Sequence, residues 1–259
     1  MSRTNKNSYL KLLLISGISA LFGGILGGGG YILFSNSGDK IRVALSNAMV
    51  QIQNYMLPAL ILLTIVSVII GEYSCRKLKF IGEQILKTED EECDNWEYKE
   101  EKIGAFGVNM NILSQVLGIM LLVTGYSSSY IEENVGRFLC ACVIFMICEG
   151  YDSIWQIRYV KITQHNHPEK QGDPTSKKFQ QQWLDSCDEA EKERIYKSSY
   201  KTYLIINRSM PVLIFGTMIL HLFFDTGILA TVVVAIMWII VTFSYNHSCV
   251  TLRGNYIKK

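Results

Sequence analysis

Hydrophobic residues occur in six long runs along the chain, and two large polar stretches interrupt them. The runs cover about residues 10–34, 52–71, 112–130, 138–157, 204–224 and 228–250. A helix needs about 20 predominantly apolar residues to cross the hydrocarbon core of a bilayer. Each run is long enough for one crossing. The pattern therefore predicts an all-α protein: a six-helix transmembrane bundle of three two-span hairpins, forming a single membrane domain over residues 1–259.

The polar stretches, 72–107 and 158–203, are predicted to extend the neighbouring spans as helices. Residues 71–87 and 95–107 contain no proline, so they suit two helical arms joined by a mobile acidic turn at 88–94. In the second stretch a short helix is expected over 175–184. The Ser186-x-x-Glu189 spacing of a capping box then predicts a helix from residue 186 into the fifth span. Residues 35–51 suit either an amphipathic interfacial helix or an outward extension of the second span.

Basic residues indicate the orientation, because Lys and Arg concentrate in cytoplasmic segments. Of the 25 Lys and Arg residues, 22 lie in the N-terminal tail, the two polar stretches with their flanks, and the C-terminal tail. Both termini are therefore expected in the cytoplasm. The net charge of +2 gives no reason to expect nucleic-acid binding. The lipid bilayer is the predicted surrounding, and no cofactor or metal is expected.

Acidic residues within or beside a span are the main candidates for a functional site. Glu149 and Asp152 lie three residues apart near the end of the fourth run, hence on one helical face. A charge at the centre of a span costs about 2.5–3.5 kcal/mol on insertion scales, so such groups need a partner or a water path. Arg208 is the predicted partner. An interfacial ion pair is one interpretation, and an ion or proton path is another.

Other chemistry is weak. Glu132-Glu133-x-x-x-Arg137 resembles the first motif of membrane CaaX-type proteases, but the remaining motifs, at His221 and His247, stand in the wrong order and at opposite ends of spans. An intramembrane protease is thus a remote alternative. Two further histidines, at positions 165 and 167, are expected to be solvated loop residues. No catalytic residues are predicted.

Two sets of residues are predicted to contact other helices or proteins. Small residues recurring every fourth position in the first run suit a close helix-packing face; they are Ser16, Ala20, Gly24 and Gly28. Aromatic residues on the polar arms suit a partner surface, or packing of the arms against each other; they are Trp96, Tyr98, Phe179, Trp183, Tyr196 and Tyr200.

The segments 166–173, 178–192 and 196–201, together with 97–102, resemble the bacterial domain-of-unknown-function family 3169. The resemblance implies an uncharacterised multi-pass protein of the bacterial cytoplasmic membrane, and it brings no activity or site residues. The absence of catalytic motifs favours a non-enzymatic accessory, regulatory or self-protection component that acts through partners, such as another membrane protein or an exporter subunit. The alternative is a small transporter or channel with a site near Glu149 and Asp152.

Overall fold

The computed structural model describes residues 38–88, 91–224 and 226–257, with isolated helical positions at 14, 17, 18, 21 and 24. Every regular element in this part of the chain is an α-helix. The seven helices are α1 (Gly38–Ile85), α2 (Glu91–Thr124), α3 (Ser128–Glu133), α4 (Val135–Asn166), α5 (Phe179–Asp185), α6 (Glu189–Phe224) and α7 (Leu229–Ile257). Of these, α1, α2, α4, α6 and α7 are long and apolar enough to cross a membrane. The all-α prediction is therefore confirmed, and five of the six predicted spans are helices long and apolar enough to cross a membrane.

The first predicted span, 10–34, lies outside the continuously described residues, and so does most of its small-residue face. Ser16, Ala20 and Gly28 are not described, and Gly24 is helical. The arrangement of six spans as three hairpins stays a prediction.

Helix α1 is a single helix of 48 residues, and it bears on the two interpretations of residues 35–51. The described part of that segment continues directly into the second predicted span. No glycine or proline interrupts the chain between Gly38 and Pro58, so nothing in the backbone forces a break. The continuous helix favours an extension of the second span, and its outward direction stays a prediction.

The helical arms beside the first polar stretch are confirmed, but the turn between them is shorter than predicted. Helix α1 ends at Ile85 and α2 already begins at Glu91, so Cys93 and Asp94 are helical. Two consecutive glutamates open α2, and acidic residues favour the first turn of a helix because they face its positive dipole end. The mobility of the turn stays a prediction.

The capping box that starts α6 lies two residues later than predicted. The backbone N–H of Glu191 donates to Asp188 Oδ1 at 2.7 Å, and the backbone N–H of Asp188 donates to Glu191 Oε2 at 3.1 Å. Ser186 instead donates its hydroxyl to the carbonyl of Trp183 at 2.7 Å. Ser186 and Asp188 could each cap the helix, because a glutamate follows each of them three residues later. Ser186 is already engaged at the end of α5, so Asp188 is the residue that caps α6. The preceding short helix begins at Phe179, not at residue 175.

The chain divides into two compact units. Unit 2, Ser46–Lys192, holds most of α1 together with α2, α3, α4 and α5. We call α1, α2 and α4 of this unit the three-helix unit. The described part of unit 1 comprises 38–45 and 193–257, and it includes most of α6 and all of α7.

Two apolar clusters form the core of the three-helix unit. The first cluster is Met56, Leu60, Tyr130 and Ala141. The second is Cys75, Leu78, Trp155 and Ile162, and it lies nearer the turn between α1 and α2. Polar side chains occupy the helix positions between the two clusters, and these side chains surround the candidate site.

Candidate functional site

Asp152 is the centre of the polar layer, and its side chain is fully buried. Ser67 on α1 donates its hydroxyl to Asp152 Oδ1 at 2.6 Å. The thiol of Cys148, one turn earlier on α4, lies 3.9 Å from Oδ2. Asn111 on α2 donates its amide to the backbone carbonyl of Asp152 at 3.1 Å. Three helices thus meet at Asp152 within the predicted span: α1 and α4 contact its carboxylate, and α2 contacts its backbone carbonyl.

A cavity of about 150 Å³ lies beside this carboxylate. Aliphatic residues of α1 and α2 form most of its wall. Six of the lining residues have polar side-chain atoms: Ser67, Asn111, Ser114, Tyr151, Asp152 and Trp155. The cavity is large enough for water molecules, and its few polar atoms lie beside Asp152.

The amide of Asn111 is held in place by its own neighbours. Its oxygen accepts hydrogen bonds from Gln115 at 3.0 Å and from Gln156 at 2.8 Å. Its nitrogen is therefore directed at the carbonyl of Asp152 on α4. This network fixes the polar wall of the cavity, because a rotated amide would lose three hydrogen bonds.

Trp155 forms one end of the cavity through a close approach of three helices. Its indole N–H donates to the carbonyl of Gly71 on α1 at 3.0 Å. A Cβ atom at Gly107 of α2 would lie 2.7 Å from the same indole. Glycine is therefore required at Gly107 to let the ring lie between the helices.

Glu149 on α4 faces α2, and it lacks the hydrogen bonds that hold the carboxylate of Asp152. One of its carboxylate oxygens is buried, and no described residue gives it a hydrogen bond. A buried polar atom without a partner costs about 1–3 kcal/mol, and more for a charged group. The predicted partner, Arg208, belongs to α6 in the other unit, and its pairing with either acid stays a prediction.

An ion pair that the sequence did not single out lies at the end of the unit nearer the α1–α2 turn, here called the connection end. Arg158 makes a two-fold hydrogen bond with Glu72, and Tyr151 donates its hydroxyl to the same carboxylate at 3.3 Å. These residues join α1 to α4. Glu72 directly follows one apolar run, and Arg158 directly follows another. Both residues are therefore expected at the same depth in the membrane, and this is the sequence signal that could have identified the pair.

A second buried polar cluster joins all three helices farther along the connection end. The side chain of Glu100 is only 7% exposed, and it accepts hydrogen bonds from Asn166 at 2.6 Å and from His167 at 2.7 Å. Asn166 also donates to the carbonyl of Leu78 on α1 at 3.3 Å. The hydrogen bond that the His167 ring donates to the Glu100 carboxylate raises the pKa of His167. The expectation that His167 is a solvated loop residue is therefore wrong, whereas His165 is exposed.

Lys170 ties the connection after α4 to the start of α6. Its side chain is largely buried, pairs with Glu191 and lies 3.7 Å from the thiol of Cys187. Burial alone would lower the pKa of Lys170, but the hydrogen bond and charge of Glu191 raise it. The same glutamate closes the capping box with Asp188, so one side chain serves two contacts.

The predicted aromatic surface is divided in the structure. Trp96 packs edge to face with Phe80 of α1 at 6.5 Å, and Phe179 packs against Trp183 at 5.5 Å. Tyr98 is 65% exposed, so of the two alternatives it suits a partner surface and not packing between the arms. It lies two residues from Trp96 and therefore on another side of the helix. In unit 1, Tyr196 and Tyr200 are 59% and 52% exposed.

The chain belongs to the DUF3169 family of proteins of unknown function, whose profile matches residues 5–248. The match covers nearly the whole chain and confirms the resemblance of the polar segments. Neither the curated proteins nor the solved structures yield a match.

Proposed function

We propose that this member of the DUF3169 family is a small transporter or channel that binds a proton or small cation at Asp152. The observation that carries the proposal is a fully buried carboxylate beside a cavity, at the meeting point of three candidate membrane spans. Ionisable residues within spans are rare and expensive, and they often mark ion or proton pathways.

The energetics of the two acids support this function. A charged Asp at the centre of a span costs about 2.5–3.5 kcal/mol, which is an upper bound for Asp152 near the end of the fourth run, and one hydrogen bond returns only about 1–2 kcal/mol. The hydroxyl of Ser67 therefore offsets part of the cost at Asp152. A bound proton or cation removes the remainder by neutralising the charge. The unpartnered oxygen of Glu149, one turn away on the same helix, gives a second position for the same ion.

The donor set favours a proton or an alkali cation over a transition metal. The lining of the cavity is mainly apolar, and its few polar groups include the hydroxyls of Ser67 and Ser114 and the carboxylate of Asp152, whose oxygens are hard ligands. The thiol of Cys148 already lies between Ser114, at 3.6 Å, and Asp152. In this proposal the protein lies in the bacterial cytoplasmic membrane with both termini inside, as the Lys and Arg distribution predicts.

Flux through reconstituted vesicles tests the proposal. Purified protein is placed in liposomes that contain a pH-sensitive or cation-sensitive dye, and a gradient of H⁺, Na⁺ or K⁺ is applied. We expect flux above that of empty vesicles, and a loss of at least about tenfold in Asp152→Asn, since the charge that binds the ion is gone. Asp185→Asn, an exposed acid on α5, is the matched control and should keep full flux.

Two outcomes would refute the transport proposal. Wild-type flux equal to that of empty vesicles for all three ions removes transport itself. Equal flux in the wild type and Asp152→Asn removes Asp152 as the binding group. Glu149→Gln separates the acids, because it should reduce flux less than Asp152→Asn if Asp152 is the main site.

A second candidate is a non-enzymatic accessory, regulatory or self-protection component that acts through a protein partner. The exposed tyrosines at 98, 196 and 200 favour it, because exposed aromatic side chains contribute strongly to protein interfaces. These residues lie on the segments of helix that extend from the apolar runs.

Affinity purification after mild solubilisation tests the partner hypothesis. A specific co-purifying membrane protein should appear with the wild type and be reduced at least about tenfold by Tyr196→Ser combined with Tyr200→Ser, because aromatic anchors contribute 2 kcal/mol or more. Tyr126→Ser is the control, since this tyrosine is also exposed but lies at the other end of α2. A protein that purifies alone in several detergents would count against this function.

A further inference from the structure

One exposed face of α1 combines aromatic and basic residues at the connection end. Tyr73, Arg76, Lys77 and Phe80 are all exposed, and their spacing places them on one side of the helix. The ammonium of Lys77 lies 5.9 Å from the centre of the Tyr73 ring. This cation–π contact directs the lysine along the helix toward the apolar part of the span, since Tyr73 lies on that side.

Helix α2 adds a second aromatic and basic pair to the same region. Trp96 packs edge to face against Phe80 at 6.5 Å, and the ammonium of Lys99 lies 3.9 Å from the Trp96 ring. The two helices run in opposite directions here. Lys77 and Lys99 are therefore both displaced by three residues, about 4.5 Å, from the ring pair toward the span.

The cations of this face are available for a ligand. Among the described residues, no carboxylate forms an ion pair with Arg76, Lys77 or Lys99. The neighbouring acid on α1, Glu72, is engaged by Arg158. Glu83 is exposed on this side of the helix, but it lies one turn beyond Phe80 and farther from the span.

An exposed apolar surface begins directly beside the cations. Leu62, Ile65, Val66 and Ile69 are all exposed on α1 before Tyr73. The surface thus has a cationic part, an aromatic border and an aliphatic part in that order. A phospholipid has the matching order of phosphate, glycerol and acyl chains, whereas a soluble phosphate would use only the cationic part.

We propose that this face of α1 binds an anionic phospholipid, with its phosphate at Arg76 and Lys77 and its acyl chains along Ile69 and Leu62. Tyr73 and Phe80 border the headgroup, and Lys99 is a further cation at the same level. Basic residues near an anionic leaflet favour such lipids, and aromatic rings favour the interface itself. This proposal does not depend on transport through the Asp152 cavity.

Native mass spectrometry of the full chain tests the lipid site. Lipid-depleted protein is titrated with phosphatidylglycerol and with phosphatidylcholine of identical acyl chains. We expect tighter binding of phosphatidylglycerol, and a loss of about 25-fold in its affinity in R76Q/K77Q, because each cation near the headgroup contributes roughly fivefold. The control K177Q/K178Q removes two exposed lysines from the connection after α4 and should keep the wild-type affinity.

Further arms of the titration keep the result decisive. Arg76→Lys should retain most of the preference, since it keeps the charge. If the double variant does not fold, R76Q alone replaces it, with an expected loss of about fivefold. Glycerol phosphate at the same concentration should not displace the lipid. Equal affinity for the two lipids, equal losses in the two double variants, or displacement by glycerol phosphate would overturn the proposal.

Discussion

The three-helix unit and the pair α6 and α7 use similar apolar sequences in different ways. In the most apolar window of each span, 22% of the residues are buried in α1, α2 and α4, and none are buried in α6 and α7. Buried polar side chains join the first three helices at several levels. The described contacts between α6 and α7 include a hydrogen bond from Trp238 to Asn207 at 2.7 Å and one from Thr231 to Thr217 at 3.0 Å.

This difference follows from what holds helices together in lipid. Lipid tails are as apolar as leucine side chains, so association depends on close packing and on hydrogen bonds between helices. The three-helix unit has glycines that admit Trp155 and an amide network around Asn111. The exposed apolar surfaces of α6 and α7 suit contact with lipid or with another protein.

A glycine substitution in the three-helix unit should give the largest difference in stability between the two regions. In Gly107→Val the added side chain meets the indole of Trp155, where even a Cβ would lie 2.7 Å away. We expect destabilisation by about 2–3 kcal/mol, the usual cost of overpacking a closely packed position. Reversible unfolding in mixed micelles, followed by tryptophan fluorescence, measures the change.

Gly216→Val on α6 is the matched control, because no described atom lies within 4 Å of a Cβ built at Gly216. It should change the stability by less than about 0.5 kcal/mol, as for an open surface position. Equal losses in the two variants would show that the units do not differ in packing as described.

The amides of the two regions give the second prediction. Asn111→Leu removes three hydrogen bonds around the Asp152 cavity, and we expect a loss of about 1.5 kcal/mol in the free energy of unfolding. Asn207→Leu removes only the bond from Trp238, and a loss near 0.6 kcal/mol is expected. The same micelle titration measures both. A larger loss for Asn207→Leu would reverse the comparison.

Hydropathy predicted the spans of both regions, because the requirement for about 20 apolar residues is visible in one sequence. It also indicated Asp152, since an acid within an apolar run is conspicuous. It missed Ser67 and Asn111, which are ordinary residues at the edge of or within such runs. Their role depends on the register between helices, and spacing along one helix does not encode that register.

The connection end shows the same limit. Glu100 and His167 are 67 residues apart, so only the fold brings them together. The expected solvated loop at His167 rested on its proline and polar neighbours. Those neighbours correctly predicted the end of α4, but they carry no information about the facing carboxylate on α2.

The ion pair between Glu72 and Arg158 gives a smaller third effect. Both side chains are more than one-third exposed, so solvent screens the interaction despite its two-fold geometry. A double-mutant cycle with Glu72→Gln and Arg158→Gln should give a coupling free energy of about 0.5–1 kcal/mol. The equivalent cycle for Glu193 and Lys197, an exposed pair on α6, should give less than about 0.5 kcal/mol. Equal coupling free energies in the two cycles would mean that an ion pair between two helices is no stronger than an ion pair within one helix.

The smallest effect should be a pH dependence that His167 gives to the three-helix unit. The carboxylates of Glu100, Glu169 and Glu97 face His167, and they raise its pKa above 6.5 in the folded protein. The charged form therefore contributes stability that is complete below pH 6.5 and is lost as the pH rises through the folded-state pKa. Thermal unfolding of the wild type between pH 6 and 9 should show this loss, and His167→Gln should remove it. His247→Gln on α7 should leave the profile unchanged, because this exposed histidine contacts only Thr251 of its own helix among the described residues. A wild-type profile that is flat, or that rises with pH, would contradict the pairing of His167 with Glu100.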